Sequence, residues 1–192
     1  MDRDEILAVM SDDTKQYIDN IVDMYNAPYA RFIGFEIDSI EPDRVVCHMD
    51  LVPDLMNSMG RGHGAAVYGL LDHTFACACN VSKPSTGLSC SVNYYRPAQG
   101  RLTAVAVPIN KSRSLEMYDV RAYNEAGKLV ASATCTAFIL KGERDGRPAL
   151  PQLRGARAVE QRHVPEVLQE DTRRARAEEE GEAPRERRRR AR

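Results

Sequence analysis

The sequence predicts an α+β domain in which a curved antiparallel sheet wraps around one long buried helix, with further helices at the N-terminus. Three observations predict it. The segment from His63 to Asn80 has helical length and carries apolar or small residues around every face, the mark of a helix enclosed by the rest of the fold. Two β-rich runs precede this segment and four follow it, with Gly-containing turns between several of them, a pattern that suits antiparallel hairpins. A single apolar helix and a curved sheet satisfy each other when the sheet wraps the helix, and Ala65, Ala66, Gly69, Ala76 and Ala78 are small enough for close approach.

From Asp2 to Tyr25 the pattern is helical. Ile6, Leu7 and Met10 form a short stripe, and Ile18, Ile21, Val22 and Tyr25 recur at three- and four-residue steps behind the capping-type stretch "SDDTK". Residues 1–30 are expected to be an N-terminal helical extension and residues 31–141 the main domain. "FIGFEIDSIEPDRVVCHMDLV" reads as strand, turn and strand. The second strand sets Val45, Cys47, Met49 and Leu51 on one side and Val46, His48 and Asp50 on the other. "GLSCSVNYYRP", "GRLTAVAVPINK", "LEMYDVRAYN" and "KLVASATCTAFILK" are the four later runs, expected to form a meander in which Tyr94 and Tyr95 send one ring to each face. Beyond Gly142 there is no aromatic residue and charge of both signs is dense. Such a composition buries too little apolar area to offset its ordering entropy, so residues 142–192 are expected to be a charged, disordered tail with at most a transient helix between Pro165 and Glu180.

Composition narrows the function classes. A chain of 192 residues with 43% hydrophobic content can bury one core, and its length favours a single domain. A net charge of -1 supplies no global pull toward nucleic acid or a membrane surface. The terminal "RERRRR" sits beside "AEEEGE" without aromatic interleaving, so no nucleic-acid partner is expected. Five cysteines, an odd number lying in apolar patterns, read as free thiols in a reducing compartment. "MDRDEILAVM" lacks a basic stretch followed by a sustained apolar run, so no leader is expected and the cytoplasm is the expected location. The long helix is no membrane span, because a span needs about 20 predominantly apolar residues and this one contains Asp72 and His73.

Asp72 is the residue that composition does not explain. Within an enclosed helix a carboxylate is costly unless it is paired, hydrogen-bonded or protonated, so its presence calls for a structural partner or a chemical task. Thioester hydrolysis is one such task. It needs a group that activates water or attacks the carbonyl, plus donors for the oxyanion, while a thiol leaving group with a pKa of roughly 8.5 needs little acid assistance. The first-turn amides of a helix are unpaired donors at the positive end of its dipole, and the helix here starts near His63 and Gly64.

Asn57, then "GHGAA" with His63 and Gly64, then "LLDHTFACACN" with Asp72, resembles the hot-dog-fold acyl-CoA thioesterases of the phenylacetic-acid-degradation type. That family's pattern is an Asn, a His-Gly-Gly at a helix start, and an Asp two turns into the helix. The likeness extends through Asn80 and "VNYYRPAQGRL" to about Leu140. It implies the hot-dog fold and hydrolysis of an acyl-CoA to free acid and coenzyme A, with aromatic acyl groups suggested by family association. It also implies a homodimer or homotetramer in which the carboxylate works across a subunit interface. No cofactor or metal is implied, since coenzyme A is part of the substrate. By the same resemblance Asp72 is the general base or the nucleophile of a mixed anhydride, and the Gly64 amide polarises the carbonyl. Asn57 helps place the water or the carbonyl, and His63 orients the loop and substrate. Arg96, Lys111 and Arg113 are candidates for the coenzyme A phosphates. The chain departs from the pattern at Ala65, where a second Gly is usual. "STGLSCS" offers Thr86, Ser89 and Ser91 only at shifted or substituted positions for a Thr and an Asp often found before the Arg-Pro pair.

Other readings compete. Asp72 as a purely structural carboxylate, and His63 as a helix cap, need no catalysis. A non-catalytic acyl-CoA-binding sensor of the same fold would use the pocket without turnover. A hydratase would need a His and an acid at the acyl chain, and no Asp-x-Asn-Pro-x-x-His run occurs. His73 with Cys77, Cys79 and Cys90 could suggest zinc, but no Cys-x-x-Cys pair is present and small buried cysteines suit packing.

Overall fold

Alternation in the strands explains why the sheet can close on a helix. In a computed structural model, which describes residues 1–140, the inner positions of three neighbouring strands are filled by Ala104, Ala106, Ala122, Ala131, Ala133 and Ala137, all buried. Small side chains on the concave face leave room for the bulk carried by the helix, whose Val67, Leu70, Leu71 and Phe75 are buried against them. Burying each such large apolar side chain contributes about 1.5–3 kcal/mol. The expectations for a charged tail, its disorder and its transient helix concern residues that lie outside the described ones.

The elements run α1 (Arg3–Ala8), α2 (Ile18–Tyr25), α3 (Pro28–Phe32), β1 (Glu36–Glu41), β2 (Arg44–Asp50), α4 (Gly64–Asn80), β3 (Ser85–Tyr94), β4 (Arg101–Lys111), β5 (Leu115–Asn124) and β6 (Leu129–Ile139). Short 3-10 turns occur at Lys15–Tyr17 and Pro53–Leu55. The six strands form one antiparallel sheet in the order β1-β2-β4-β5-β6-β3. This is the hot-dog arrangement the sequence predicts, with one correction to the strand order. The four later strands are no simple meander, because β3 leaves the end of α4, pairs with β6 and forms an edge, while β4 returns beside β2. An edge place fits the composition of β3, a ten-residue strand with no fully buried side chain.

The N-terminal helices are not a separate body. Ile6, Ile21 and Tyr25 are buried in the same core as Leu70 and Val120. Arg31 ties α3 down by donating to the Tyr25 and Phe35 carbonyls and to the Tyr25 hydroxyl, with its guanidinium stacked 3.7 Å from the centre of the Tyr25 ring. Gly34, with φ 68°, then turns the chain into β1 through a left-handed conformation that side-chain-bearing residues adopt at a cost. The first residues also reach the outer edge of β1. Met10 forms a parallel bridge with Ile40, whose amide donates to the Val9 carbonyl and whose carbonyl accepts from the Ser11 amide, both at 2.9 Å. "SDDTK" leads into α2 through the 3-10 turn that begins at its Lys15, without a side-chain capping bond. Thr14 is buried and donates to the carbonyls of Ser11 and Ile40, so the stretch closes a turn against the sheet and α2 begins after it.

The helix α4 is less enclosed than its composition predicts. The sheet covers one side and the N-terminal helices a second. Ala65 and Tyr68 remain exposed, with Asp72 and Ala76 half-buried, along one open stripe at helical spacing. Asp72 is therefore at the margin of the core instead of inside it. No described helix is long and apolar enough to cross a membrane.

Candidate active site

The loop that precedes α4 is built by hydrogen bonds that the sequence motif supplies. Asn57 folds its own side chain back over the loop, Oδ1 accepting from the amides of Met59 at 2.9 Å and Arg61 at 3.2 Å. Its main-chain amide donates to the Arg61 carbonyl at 2.7 Å. With Oδ1 engaged by two amides, Asn57 faces any ligand through its Nδ2 hydrogens. Gly62 is forced to be small, since a Cβ there would lie 2.6 Å from Leu51 Cδ1.

His63 is the N-cap of α4. Its Nδ1 accepts from the Ala65 amide at 3.0 Å, so the ring occupies one of the first-turn donors. The Ala66 and Val67 amides already donate to the His63 carbonyl, which leaves the Gly64 amide as the first-turn donor with no partner among the described residues. Tyr94 secures this end by donating from Oη to the Gly64 carbonyl at 3.0 Å.

Asn57, Gly64 and Arg96 line one open cavity of about 370 Å³, together with Arg61, Tyr94 and Tyr95. The two tyrosines point to opposite faces as expected, Tyr94 toward α4 and Tyr95 toward the outward-facing Ser132 of β6. Both are about half exposed, and Tyr95 Oη lies 2.9 Å from Ser132 Oγ. Arg96 donates to the Leu129 carbonyl at 2.6 Å, which holds it along the cavity wall. Arg61 drew no attention in the sequence. It is the second cation of this cavity, and its side chain has no partner among the described residues.

Asp72 lies elsewhere on the same chain. It is eight residues into α4 from Gly64, about 12 Å along the helix axis, and it does not line that cavity. It has no hydrogen-bond or ion-pair partner among the described residues. Burial raises its pKa above the ordinary carboxylate value of 3.8, and only His73 opposes this shift. His73 faces the other way. Its Nε2 lies 3.1 Å from the Met24 carbonyl and its ring stands edge-on to Phe35 at 4.5 Å, while burial lowers its pKa and so favours the neutral form that donates Nε2–H to that carbonyl. Tyr68, one turn before Asp72, has its own pKa raised by burial and then by the Asp72 charge.

Lys111 and Arg113 are at the opposite end of α4. Lys111 is paired with Asp43 at 2.6 Å and borders a second cavity beside Lys83, Glu116 and Tyr118. Arg113 is exposed in the turn after β4. Within one chain, then, the fold joins Asn57, His63, Gly64 and Arg96 and leaves Asp72, Lys111 and Arg113 apart from them. Among the described residues no three His, Cys, Asp or Glu side chains are arranged to hold a metal ion.

Residues 17–139, more than half of the chain, match the family model described as "Domain of unknown function (DUF4442)". The chain is 30% identical over 109 residues to the acyl-coenzyme A thioesterase PaaI of Escherichia coli, an alignment that covers 55% of this chain and 78% of the relative. Among solved structures, a point mutant of the phenylacetic acid degradation protein PaaI from Thermus thermophilus superposes with a TM-score of 0.57 at 35% identity, covering 59% of this chain and 100% of that one. The Escherichia coli PaaI structure superposes with a TM-score of 0.64 at 26% identity, covering 67% and 96%.

Proposed function

This chain belongs to the PaaI-like family of hot-dog thioesterases and to DUF4442, and from that premise we propose that it hydrolyses an acyl-CoA to free acid and coenzyme A with Asp72 as its base or nucleophile. The observation that carries this reading is Asp72 itself, a half-buried carboxylate on the open stripe of α4 with no partner among the described residues. A structural carboxylate at such a place would be matched by a donor or a cation. A raised pKa keeps more basicity at the carboxylate once it is ionised, which suits proton abstraction from water.

The remaining roles follow from which groups are already in use. The Gly64 amide, at the positive end of a 17-residue helix, is oriented to polarise a carbonyl without any reorganisation. Asn57 Nδ2 is available to hold the attacking water or the carbonyl. His63 fixes the first turn by capping it. Because one rigid helix keeps Gly64 and Asp72 about 12 Å apart, they serve one carbonyl only when the Gly64 of a second copy meets the Asp72 of the first. The edge strand β3, which no other strand pairs on its outer side among the described residues, supports a homodimer, paired further as a tetramer, as the working form. Arg96, and in such an assembly Lys111 and Arg113 of the other end, are the cations assigned to coenzyme A phosphates.

The test is release of free coenzyme A, followed with a thiol reagent, over a panel of acetyl, medium-chain and aromatic acyl thioesters. Phenylacetyl-CoA belongs in the panel because the Thermus relative is named for phenylacetic acid degradation. Turnover of any member supports hydrolysis. Binding of acyl-CoA without thiol release would replace the hydrolase with a sensor.

A further inference from the structure

Two aromatic rings on α3 have no evident structural work. The helix itself is held firmly, by the Arg31 bonds to Tyr25 and Phe35. Yet the rings it carries on its outer side are left in solvent, Tyr29 at 51% and Phe32 at 69% exposure, with their centroids 6.4 Å apart. A fold that needed these rings for its core would bury them.

Their position gives them a use. The tip of Tyr29 rests directly on α4 at Gly69, where a Cβ would stand 2.6 Å from Tyr29 Oη and 3.1 Å from Cε1. Gly69 and Asp72 are three residues apart on one helix, so their side-chain positions are neighbours at about 5–6 Å. A glycine in a helix interior costs about 1 kcal/mol relative to alanine, and here the missing methyl group is what admits the ring. On the other flank of Asp72, one turn back, is the exposed ring of Tyr68. Asp72 is thus one helical turn from both Gly69, which Tyr29 covers, and Tyr68.

We propose that Tyr29 and Phe32 form one wall of the acyl pocket and set which acyl groups the enzyme accepts. The inference rests on hydrolysis at Asp72 as proposed above. A thioester carbon attacked by Asp72, or by a water on it, sends its acyl group and its pantetheine arm in opposite directions. The α3 side offers an apolar, rigid aromatic surface, which suits an acyl group. The other direction, along the open stripe of α4, leads past Tyr68 and Ala65.

The experiment compares kcat/KM for acetyl-CoA with that for a six-carbon and a phenylacetyl thioester in the wild type, Tyr29→Phe, Tyr29→Ala and Phe32→Ala. The expected result is a change of about tenfold or more in the ratio between bulky and acetyl substrates for Tyr29→Ala, a smaller change of the same sign for Phe32→Ala, and a ratio close to wild type for Tyr29→Phe, which keeps the ring. Light scattering and thermal melts accompany each variant. Equal loss on all substrates with assembly intact would make the rings positioning elements and overturn the proposal. Dissociation of the variants into single chains would make them a contact between subunits and overturn it as well. If the wild type releases no coenzyme A from any thioester, hydrolysis at Asp72 fails first and this inference falls with it, whereas turnover with unmoved ratios sinks the inference alone.

Discussion

Tyr118 Oη donates to Glu116 Oε2 at 2.7 Å, and both side chains are buried at the end of α4 opposite Gly64. Lys83 stands 3.6 Å from the second carboxylate oxygen. Burial pushes the Tyr118 hydroxyl up, and the Glu116 hydrogen bond adds to this. Replacing Glu116 with Ala leaves the Tyr118 hydroxyl, among the described residues, only the Ala78 carbonyl, 3.5 Å away, and the expected cost is about 1–3 kcal/mol of stability. Glu116→Gln keeps an acceptor and should cost less. Because this pair does not line the Gly64 cavity and has no contact with Asp72, kcat per folded molecule should be retained, while KM can shift through Lys111, which borders the same cavity as the pair. Denaturant melts alongside coenzyme A release check the separation of the two effects.

Asp72→Asn should lower kcat roughly a hundredfold or more, the scale of a lost general base, and should at the same time raise stability near neutral pH. The sign follows from burial. The folded-state pKa is raised above the ordinary value of 3.8, so the protonated acid favours the folded state below 3.8 and that contribution is lost as pH rises through the folded pKa. The neutral amide carries no such pH dependence. Thermal melts of both proteins from pH 3 to 8 should converge at the acid end and separate above it. A variant less stable than wild type at pH 7 would reveal a partner for Asp72.

His63→Ala removes the cap on the Ala65 amide and should cost about 1 kcal/mol. His63→Asn and His63→Ser restore a capping acceptor. If the imidazole acts only by fixing the first turn, these variants recover both melting temperature and kcat. Recovery of the melt without recovery of kcat would show that the ring meets the substrate.

Two inactive variants should complement each other. Mixing Asp72→Asn chains with Gly64→Pro chains, the latter lacking the first-turn amide, and letting subunits exchange gives hybrids in which one site has an intact Asp72 opposite an intact Gly64. For equal mixing of dimers, about a quarter of the sites become whole. No activity after verified exchange would mean that both groups act within one chain.

The start of α4 was legible because helical spacing begins at His63 and the family resemblance sets a His-Gly pair at a helix start, and Gly64 is the first residue of the helix. The strand identities were legible from alternation, as in Val45, Cys47 and Met49, all buried. The place of β3 was not. Which strands become neighbours depends on how edges meet after α4 crosses the sheet, and nothing local in "GLSCSVNYY" encodes Cys90 opposite Cys135. The open stripe of α4 was hidden because Ala65, Tyr68 and Ala76 read as apolar whether or not anything covers them. Tyr29 left one trace, in Gly69, since a glycine inside a helix signals close approach by something. The approaching group is 40 residues away in the chain, and only the fold supplies it.

The contact of Val9, Met10 and Ser11 with Ile40 has a consequence for how copies of this chain add to one another. A sheet with two unprotected sides can gain strands at both and grow without end, as fibres do. Here the β1 side is blunted at Ile40 by the chain's own first residues, and among the described residues the β3 side is left open. Two copies joined along β3 use up that side in a single step. In the proposed homodimer, what would remain on the outside of the pair is twice the blunted side, so growth of the fibre kind would end with the pair.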